Sequence, residues 1–336
     1  MNKSLKHIII LLLLLIVIAI SALFIGSERI PFSEIIKALF GEKSTKVYNF
    51  IVLEIRLPRI LTALLAGTSL SVAGLLMQTY FRNSLAGPSI LGVTSGAGLG
   101  VALVTMSATL FGVASLNSGY SIALASIVGS VLVLSVILLI ASRIGNGVLL
   151  LIVGIILSSF IGATVTILQY FTDADSIQKY ILWTMGSTTS TTLSDVGLLS
   201  IISLAGIGLS IFLIKPLNSL LMGEHYAQSL GIDIKKSRFL IILSTGILAG
   251  GVTAYCGPIA FIGLAVPHLV KLNVRNANHN YLIPITALTG GLIMIFADTI
   301  AQVPFSEFQL PINAVTALIS APIIIITILK HKQSNG

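Results

Sequence analysis

The chain has 336 residues, of which 55% are hydrophobic and only 9% carry a formal charge. Ordinary globular domains have roughly 25% charged residues, so this composition excludes a water-soluble enzyme. The one cysteine, Cys256, excludes an internal disulfide and every metal or iron–sulfur site that needs several cysteines. The net charge of +8 does not indicate a nucleic-acid partner, because the basic residues lie between long apolar blocks and not on one patch.

Apolar stretches suited to crossing a membrane recur along the whole chain. A helix needs about 20 apolar residues to span the hydrocarbon core. The clear stretches are 8–25, 60–80, 90–111, 118–141, 147–170, 193–214, 238–256, 281–301 and 311–329. A tenth, 258–271, is shorter and contains Pro267; we keep it because an odd number of spans would put the C-terminal lysines on the wrong side. The sequence therefore predicts an all-helical polytopic membrane protein of about ten spans, with 1–336 as one transmembrane domain.

The first stretch also has features of a secretory signal peptide, since Lys3 and Lys6 precede it. Its run of about 18 apolar residues is longer than the usual hydrophobic region of such a peptide. The chain behind it is itself membrane-spanning, so we interpret 8–25 as the first span.

The distribution of Lys and Arg predicts the orientation. With the N-terminus in the cytoplasm, loops on that side hold twelve of the 19 Lys and Arg residues and two of the 11 Asp and Glu residues. This excess follows the positive-inside rule, so we expect a multi-pass protein of the cytoplasmic (inner) membrane with both termini in the cytoplasm. The first outer loop, 26–59, departs from the rule because it holds six of the seven remaining basic residues.

Small residues indicate where helices pack closely. Gly92, Gly96 and Gly100 recur every four residues, which predicts a glycine face on the third span. Gly246 and Gly250 repeat the spacing in the seventh span. We interpret these glycines as structural.

The sequence has no motif for catalysis or nucleotide binding. It has no Gly-Lys dipeptide and hence no Walker A loop, no His-Glu-x-x-His and no Gly-x-Ser-x-Gly. Asp298, near an outer helix end, is the one acidic residue that we assign to the membrane core, whereas ion-coupled transporters need carboxylates near the midplane. We therefore predict a transporter without enzymatic activity, driven by another subunit; a self-contained ion-coupled transporter or channel is the alternative.

The most informative soluble segment is 215–238, a loop on the predicted cytoplasmic side. Leu217 and Leu220 have helical spacing, Gly223 interrupts the pattern, and a second amphipathic stretch ends at Gly231. We expect two short helices joined at Gly223 that project beneath the membrane. A plain connecting loop is the alternative interpretation.

Five strings together resemble one family, the permease subunits of ATP-binding-cassette (ABC) importers for iron–siderophore, haem and cobalamin chelates. They lie in the order and at the spacings of that family, from the second span to the last. The strings are RLPR at 56–59, GLLMQTYFRNSLAGPSILGVTSGAGLG at 74–100, LNSLLMGEHYAQSLG at 217–231, GPIAFIGLAVPHLVKL at 257–272 and LPINAVTALISAPI at 310–323.

The resemblance implies a division of labour. Two permease chains, identical or related, would pair around a central path, with two cytoplasmic ABC ATPases beneath them. An extracytoplasmic substrate-binding protein would deliver the chelate. ATP would bind to the ATPases, so this chain would hold no cofactor and no metal of its own. Which chelate is carried does not follow from the resemblance.

The resemblance also implies roles for particular residues. The loop resembling 217–231 docks into a groove on the ATPase, which assigns ATPase coupling to Leu217, Leu220, Gly223, Glu224, Ala227, Leu230 and Gly231. Arg56 and Arg59 resemble paired arginines of the outer face that meet acidic residues of the binding protein. Residues three apart share one side of a helical turn, so both guanidiniums are expected to project toward that partner.

Overall fold

The computed structural model describes residues 3–26, 28–40, 45–110, 119–144, 146–274, 277–304, 306 and 308–334. Within these ranges the regular structure is helical throughout and contains no strand, so the predicted all-helical class is confirmed. The predicted span ends at 111 and 118 lie outside the described residues.

Fifteen α-helices follow one another along the described part of the chain. The first eight are α1 (Lys3–Phe24), α2 (Phe32–Phe40), α3 (Lys46–Phe50), α4 (Leu57–Tyr80), α5 (Val93–Leu110), α6 (Gly119–Arg143), α7 (Gly147–Tyr170) and α8 (Ala174–Thr184). The others are α9 (Leu193–Phe212), α10 (Ile214–Leu220), α11 (Glu224–Ser229), α12 (Ile234–Cys256), α13 (Ile262–Asn273), α14 (His279–Ala301) and α15 (Ile312–Ser334). A π-helical segment, Ile51–Arg56, joins α3 to α4, and a 3₁₀ turn, Pro88–Leu91, precedes α5.

Seven helices of the described chain are long and apolar enough to cross a membrane. They are α1, the continuous helix Lys46–Tyr80, α6, α7, α9, α12 and α14. Two further predicted spans coincide with α5 and α15, whose described apolar parts are shorter, Val93–Met106 and Ile312–Ile325. The number of ten spans and the orientation of the termini remain predictions.

The short tenth stretch contains α13, which has 12 residues. A helix of that length is about 18 Å long, less than the roughly 30 Å of the hydrocarbon core. Residues 257–261, which we call the broken segment, run without regular structure between α12 and α13. Gly263, just after it, packs against Gly74 inside α4, where an added Cβ would lie 1.6 Å from the Gly263 carbonyl oxygen.

Helices α4 and α12 form the interior of the bundle. The apolar windows of these two helices are 78% and 72% buried, whereas those of α1 and α7 are 11% and 22% buried. For α1 the sequence explains the difference, because α4 and α12 are rich in Gly, Ala, Ser and Thr, while α1 is almost wholly large and aliphatic. Small residues let helix backbones approach closely, and large aliphatic side chains suit contact with lipid.

Close helix packing depends on particular glycines. An added Cβ at Gly100 would lie 2.0 Å from the carbonyl oxygen of Ala125 in α6, and one at Gly96 would lie 2.5 Å from that of Gly129. Gly92 does not share this face, because it precedes α5 and has a left-handed φ of +74° after the 3₁₀ turn. The prediction of three glycines on one helix face is therefore wrong for Gly92.

Candidate functional site

Polar side chains gather at the two ends of the bundle. We call the end where the segments around Arg82, Arg143 and 213–234 meet the basic end. At the opposite end, the segments 25–57, 185–192 and 302–312 meet. Each end has one group of candidate functional residues.

Helices α10 and α11, the α10–α11 unit, lie at the basic end, and they confirm the prediction of two short helices joined at Gly223. Gly223 joins them with a φ of +126°, a conformation that side chains other than glycine rarely adopt. Its carbonyl oxygen accepts the N–H of Ala227 at 2.9 Å, which starts α11. Gly231 ends the unit with a φ of +79°.

The unit has a buried face and an exposed face. Leu217, Leu220 and Ala227 are buried inside this chain, so they hold the unit in place and offer no surface to a partner. Met222 and Leu230, in contrast, are 70% and 56% exposed. Seven residues were predicted to couple to an ATPase. Three of them, Leu217, Leu220 and Ala227, therefore cannot contact it directly in this conformation.

The exposed face of the unit carries four large apolar or aromatic side chains beside polar ones such as His225 and Gln228, and the sequence analysis named only one of the four as a coupling residue. Large side chains rarely stay in water without a partner when they lie side by side. Leu221, Met222, Tyr226 and Leu230 are all exposed here. Only Leu230 was among the predicted coupling residues, because helical spacing alone does not say which side of a short helix faces the bundle.

Two arginines fix the unit to the bundle. Arg82, just after α4, donates through Nη2 to the carbonyl oxygen of Leu220 at 2.7 Å. Arg238 of α12 donates through Nη1 to the carbonyl oxygen of Ile144 at 2.6 Å, and its Nη2 lies 3.8 Å from Oε1 of Glu224. Glu224 is thus oriented by the chain itself. The sequence analysis used these arginines only as basic residues that predict which side of the membrane is cytoplasmic.

At the opposite end, Arg56 is 2% exposed and lies at the end of the π-helical segment. Its guanidinium donates to the carbonyl oxygens of Leu23, near the end of α1, and Glu28. The π-helical segment lies directly before Pro58. A proline has no N–H to donate and its ring crowds the preceding turn of an α-helix, so a departure from regular α-helix is expected here. Arg56 therefore fastens α1 and the following loop to the start of α4.

Arg59 is 3% exposed and pairs with Asp298 of α14, with 3.1 Å between Nε and Oδ2. The hydroxyl of Thr188 donates to Oδ1 of the same carboxylate. A buried charge needs a partner of opposite sign or hydrogen bonds to offset lost hydration, and Asp298 has both. This cluster, Arg59, Thr188 and Asp298, joins α4, α14 and the segment after α8.

These positions correct the prediction for Arg56 and Arg59. Both guanidiniums point into the chain and not outward, so neither is available to a binding protein in this conformation. The basic character of the first loop is explained, for these two residues, by contacts within the chain. Residue spacing correctly placed them near each other but could not identify Leu23, Glu28 and Asp298 as their partners.

Next to this cluster lies an open cavity of about 190 Å³. Its lining is uncharged and includes Ser187, Thr188, Gln302, Gln309 and Ile312. Within the described residues, no group of three or more His, Cys, Asp and Glu side chains could hold a metal ion. The cavity therefore offers hydroxyl, amide and apolar contacts.

The broken segment lies beside this cavity and depends on Asn313. The side chain of Asn313 accepts the N–H of Ala260 at 2.9 Å and donates to the carbonyl oxygens of Pro258 at 2.7 Å and Thr184 at 3.0 Å. Backbone outside a helix is tolerated at membrane depth only where its polar groups find partners. One amide side chain therefore supplies partners to two residues within the break and joins them to the end of α8. The sequence analysis assigned no role to Asn313.

Known proteins of similar sequence and fold are transport permeases. The chain is 34% identical over 302 residues to the hemin transport system permease protein HmuU of Yersinia pestis, covering 89% of each chain. It is 35% identical over 288 residues to the vitamin B12 import system permease protein BtuC of Vibrio cholerae, covering 84% of each. A solved metal-chelate type ABC transporter in an inward-facing conformation superimposes with a TM-score of 0.85 at 31% identity, over 97% of this chain and 99% of that one. Residues 12–330 match the FecCD transport family, and the chain belongs to that family.

Proposed function

We propose that this chain is the transmembrane permease subunit of an ABC importer that carries a metal chelate inward. The names of its relatives support the substrate class, since one is a hemin permease and another a vitamin B12 permease. The resemblance of the sequence strings adds iron–siderophore chelates to this class. The site in the cytoplasmic (inner) membrane is part of the proposal.

The observation that carries the proposal is the α10–α11 unit. It presents exposed apolar side chains at the basic end of a membrane bundle, while its buried leucines and a hydrogen bond from Arg82 attach it to the bundle. An exposed apolar patch on a well-anchored element is typical of a protein–protein contact. We propose that a cytoplasmic ABC ATPase binds this patch. Two copies of the ATPase would serve two permease chains, identical or related.

An extracytoplasmic substrate-binding protein completes the proposed complex. The uncharged cavity and the broken segment lie at the end of the bundle that faces it in the predicted orientation. In this scheme the binding protein recognises the chelate, and the permease provides the path across the membrane. Such a path needs hydroxyl and apolar contacts more than a site that binds the chelate tightly. ATP belongs to the ATPase in this scheme, and the permease itself catalyses no reaction.

The geometry of Asp298 weighs against the ion-coupled alternative. A carboxylate that carries protons or sodium must be able to release its partner during the cycle. Asp298 is fully buried and engaged by both Arg59 and Thr188. This arrangement suits a structural ion pair.

Transport in a defined system tests the proposal. The permease is reconstituted into vesicles with its ATPase and binding protein, and uptake of labelled haem, cobalamin and ferric siderophores is measured with and without ATP. We expect uptake of one class that requires both ATP and an active ATPase. An ATPase variant that binds but does not hydrolyse ATP is the control. Uptake that follows a proton or sodium gradient without the ATPase would establish the alternative.

A further inference from the structure

A buried histidine, His279, joins three helices at the basic end. It is fully buried at the start of α14. Its Nδ1 lies 2.8 Å from Oδ1 of Asn218 in α10, and its Nε2 lies 2.9 Å from Oγ1 of Thr79 in α4. One imidazole ring therefore contacts α10 and α4 while belonging to α14.

The surrounding hydrogen bonds determine the direction of each contact. The side-chain atom of Asn278 that accepts the backbone N–H of Asn280 must be the oxygen, Oδ1. The amide atom of Asn218 that lies 3.0 Å from this oxygen must therefore be the donor, Nδ2. The remaining amide atom of Asn218 is then the oxygen, and it accepts the backbone N–H of His279 at 2.9 Å. Nδ1 of His279 must donate to the same oxygen, so its Nε2 accepts from the hydroxyl of Thr79.

The contacts of Asn218 are stronger anchors than those at the rim of the α10–α11 unit. Arg82 is exposed and holds a single carbonyl group, and the Arg238–Glu224 distance of 3.8 Å is long for a hydrogen bond. Asn218, in contrast, makes three hydrogen bonds to the first residues of α14 and the residue before them. A displacement of α10 must therefore move the start of α14 or break these three hydrogen bonds.

Helix α14 extends from this contact to the opposite end of the bundle. Asp298 follows His279 by 19 residues, which is roughly 28 Å along a helix axis. There it is held by Arg59 and Thr188, beside the uncharged cavity. The same helix thus has one buried polar attachment at each end.

We propose that His279 is a positioning residue that transmits movement of α10 to α14 and α4. The proposal rests on the function proposed above, in which an ATPase acts on the α10–α11 unit. His279 itself touches neither chelate nor ATP. Its function is to make the three helices move together, and this property is measurable as coupling between hydrolysis and transport.

The test compares transport with ATP hydrolysis in the complete reconstituted complex. His279→Leu keeps an apolar side chain in the site but removes both ring hydrogen bonds. We expect chelate imported per ATP hydrolysed to fall about fivefold or more, the scale of a typical coupling energy between sites. Leu282→Ala is the matched control, since Leu282 is also buried in the first turns of α14. That variant should weaken the helix yet leave the ratio near that of the wild type.

Two conservative variants separate positioning from general packing. An asparagine side chain places an amide N–H near the position of Nδ1, so His279→Asn should restore much of the ratio. A glutamine side chain reaches the position of Nε2 instead, so His279→Gln should restore less. If His279→Leu does not accumulate in the membrane, Asn218→Ala removes the contact from the α10 side and should lower the ratio in the same way.

The outcomes are distinct. A ratio unchanged in His279→Leu and Asn218→Ala, or lowered equally in Leu282→Ala, would overturn this inference while the wild-type complex still imports. A wild-type complex that shows no ATP-dependent uptake would overturn the proposed function and this inference with it. Restoration by glutamine but not by asparagine would also contradict the assigned role, because it would place the important contact at Thr79.

Discussion

Arg59 and Asp298 show how single residues hold the end of this bundle opposite the α10–α11 unit. Both side chains are almost completely buried, and the distance between Nε and Oδ2 is 3.1 Å. Removing one member of such a pair leaves a charge without hydration or a partner. The loss of stability on removing one member is therefore larger than for an ion pair on the surface.

We expect Arg59→Met to lower the free energy of unfolding by about 3–5 kcal/mol, the range for breaking a buried ion pair. Thermal unfolding of the purified protein in detergent measures this loss. Adding Asp298→Leu to the same chain should recover part of it, because no unpaired carboxylate remains. The control is Lys37→Met, which breaks a partly exposed pair with Glu34 and should cost about 1 kcal/mol or less. Equal losses at both sites would contradict the prediction.

At the scale of helices, the two faces of the α10–α11 unit have different functions. Its buried face attaches to the bundle, and its exposed face is free for a partner in this structure. Substitutions on the two faces should therefore produce different defects, although the residues are close in sequence.

Met222→Glu should abolish binding of the ATPase without lowering the stability of the permease, because Met222 is 70% exposed. Co-purification of the ATPase with the permease measures binding, and thermal unfolding measures stability. Met185→Glu is the matched control, since Met185 is exposed at the opposite end. Leu217→Ala should instead cost about 2–5 kcal/mol of stability, as for other buried leucines. Normal ATPase binding by Met222→Glu would argue that the unit is only a connecting loop.

Gly100→Ala tests the contact between α5 and α6. The new Cβ would lie 2.0 Å from the carbonyl oxygen of Ala125, so the helices must separate and stability must fall. Gly208→Ala in α9 is the control, because nothing lies within 4 Å of the added atom. This control should be neutral or gain up to about 1 kcal/mol from helix propensity. A Gly100→Ala protein as stable as the wild type would show that α5 and α6 can separate at that point without a loss of stability.

The whole molecule has a basic end and an opposite end, and its orientation in the membrane is a prediction from the distribution of charge. The positive-inside rule predicts that the α10–α11 unit lies in the cytoplasm and α8 outside. The native Cys256 is buried, which makes labelling of introduced cysteines practicable.

Cysteines introduced at Met222 and Asp175, both exposed, test this orientation in a Cys256→Ser background. A thiol reagent that does not cross membranes should label Asp175→Cys on intact cells. It should label Met222→Cys only after the membrane is opened. Labelling of Met222→Cys on intact cells would reverse the predicted topology.

The sequence by itself determined the features that depend on composition and local pattern. Apolar stretches identified the seven long spanning helices, and Gly223 correctly divided the 215–238 loop into two helices. Family strings identified the transport family, which the comparisons established. These features are local because helix formation and membrane insertion depend on residues close together in the chain.

Only the tertiary structure decided which side chains meet across the bundle. Arg59 and Asp298 are 239 positions apart, and His279 and Asn218 are 61 apart, so no local spacing could pair them. The same reason explains why Arg56 and Arg59 were expected on the surface, and why buried Leu217 was taken for a contact residue. Burial depends on neighbours supplied by other helices, and the broken segment before α13 has backbone hydrogen bonds to Asn313, which is more than 50 positions away in the sequence.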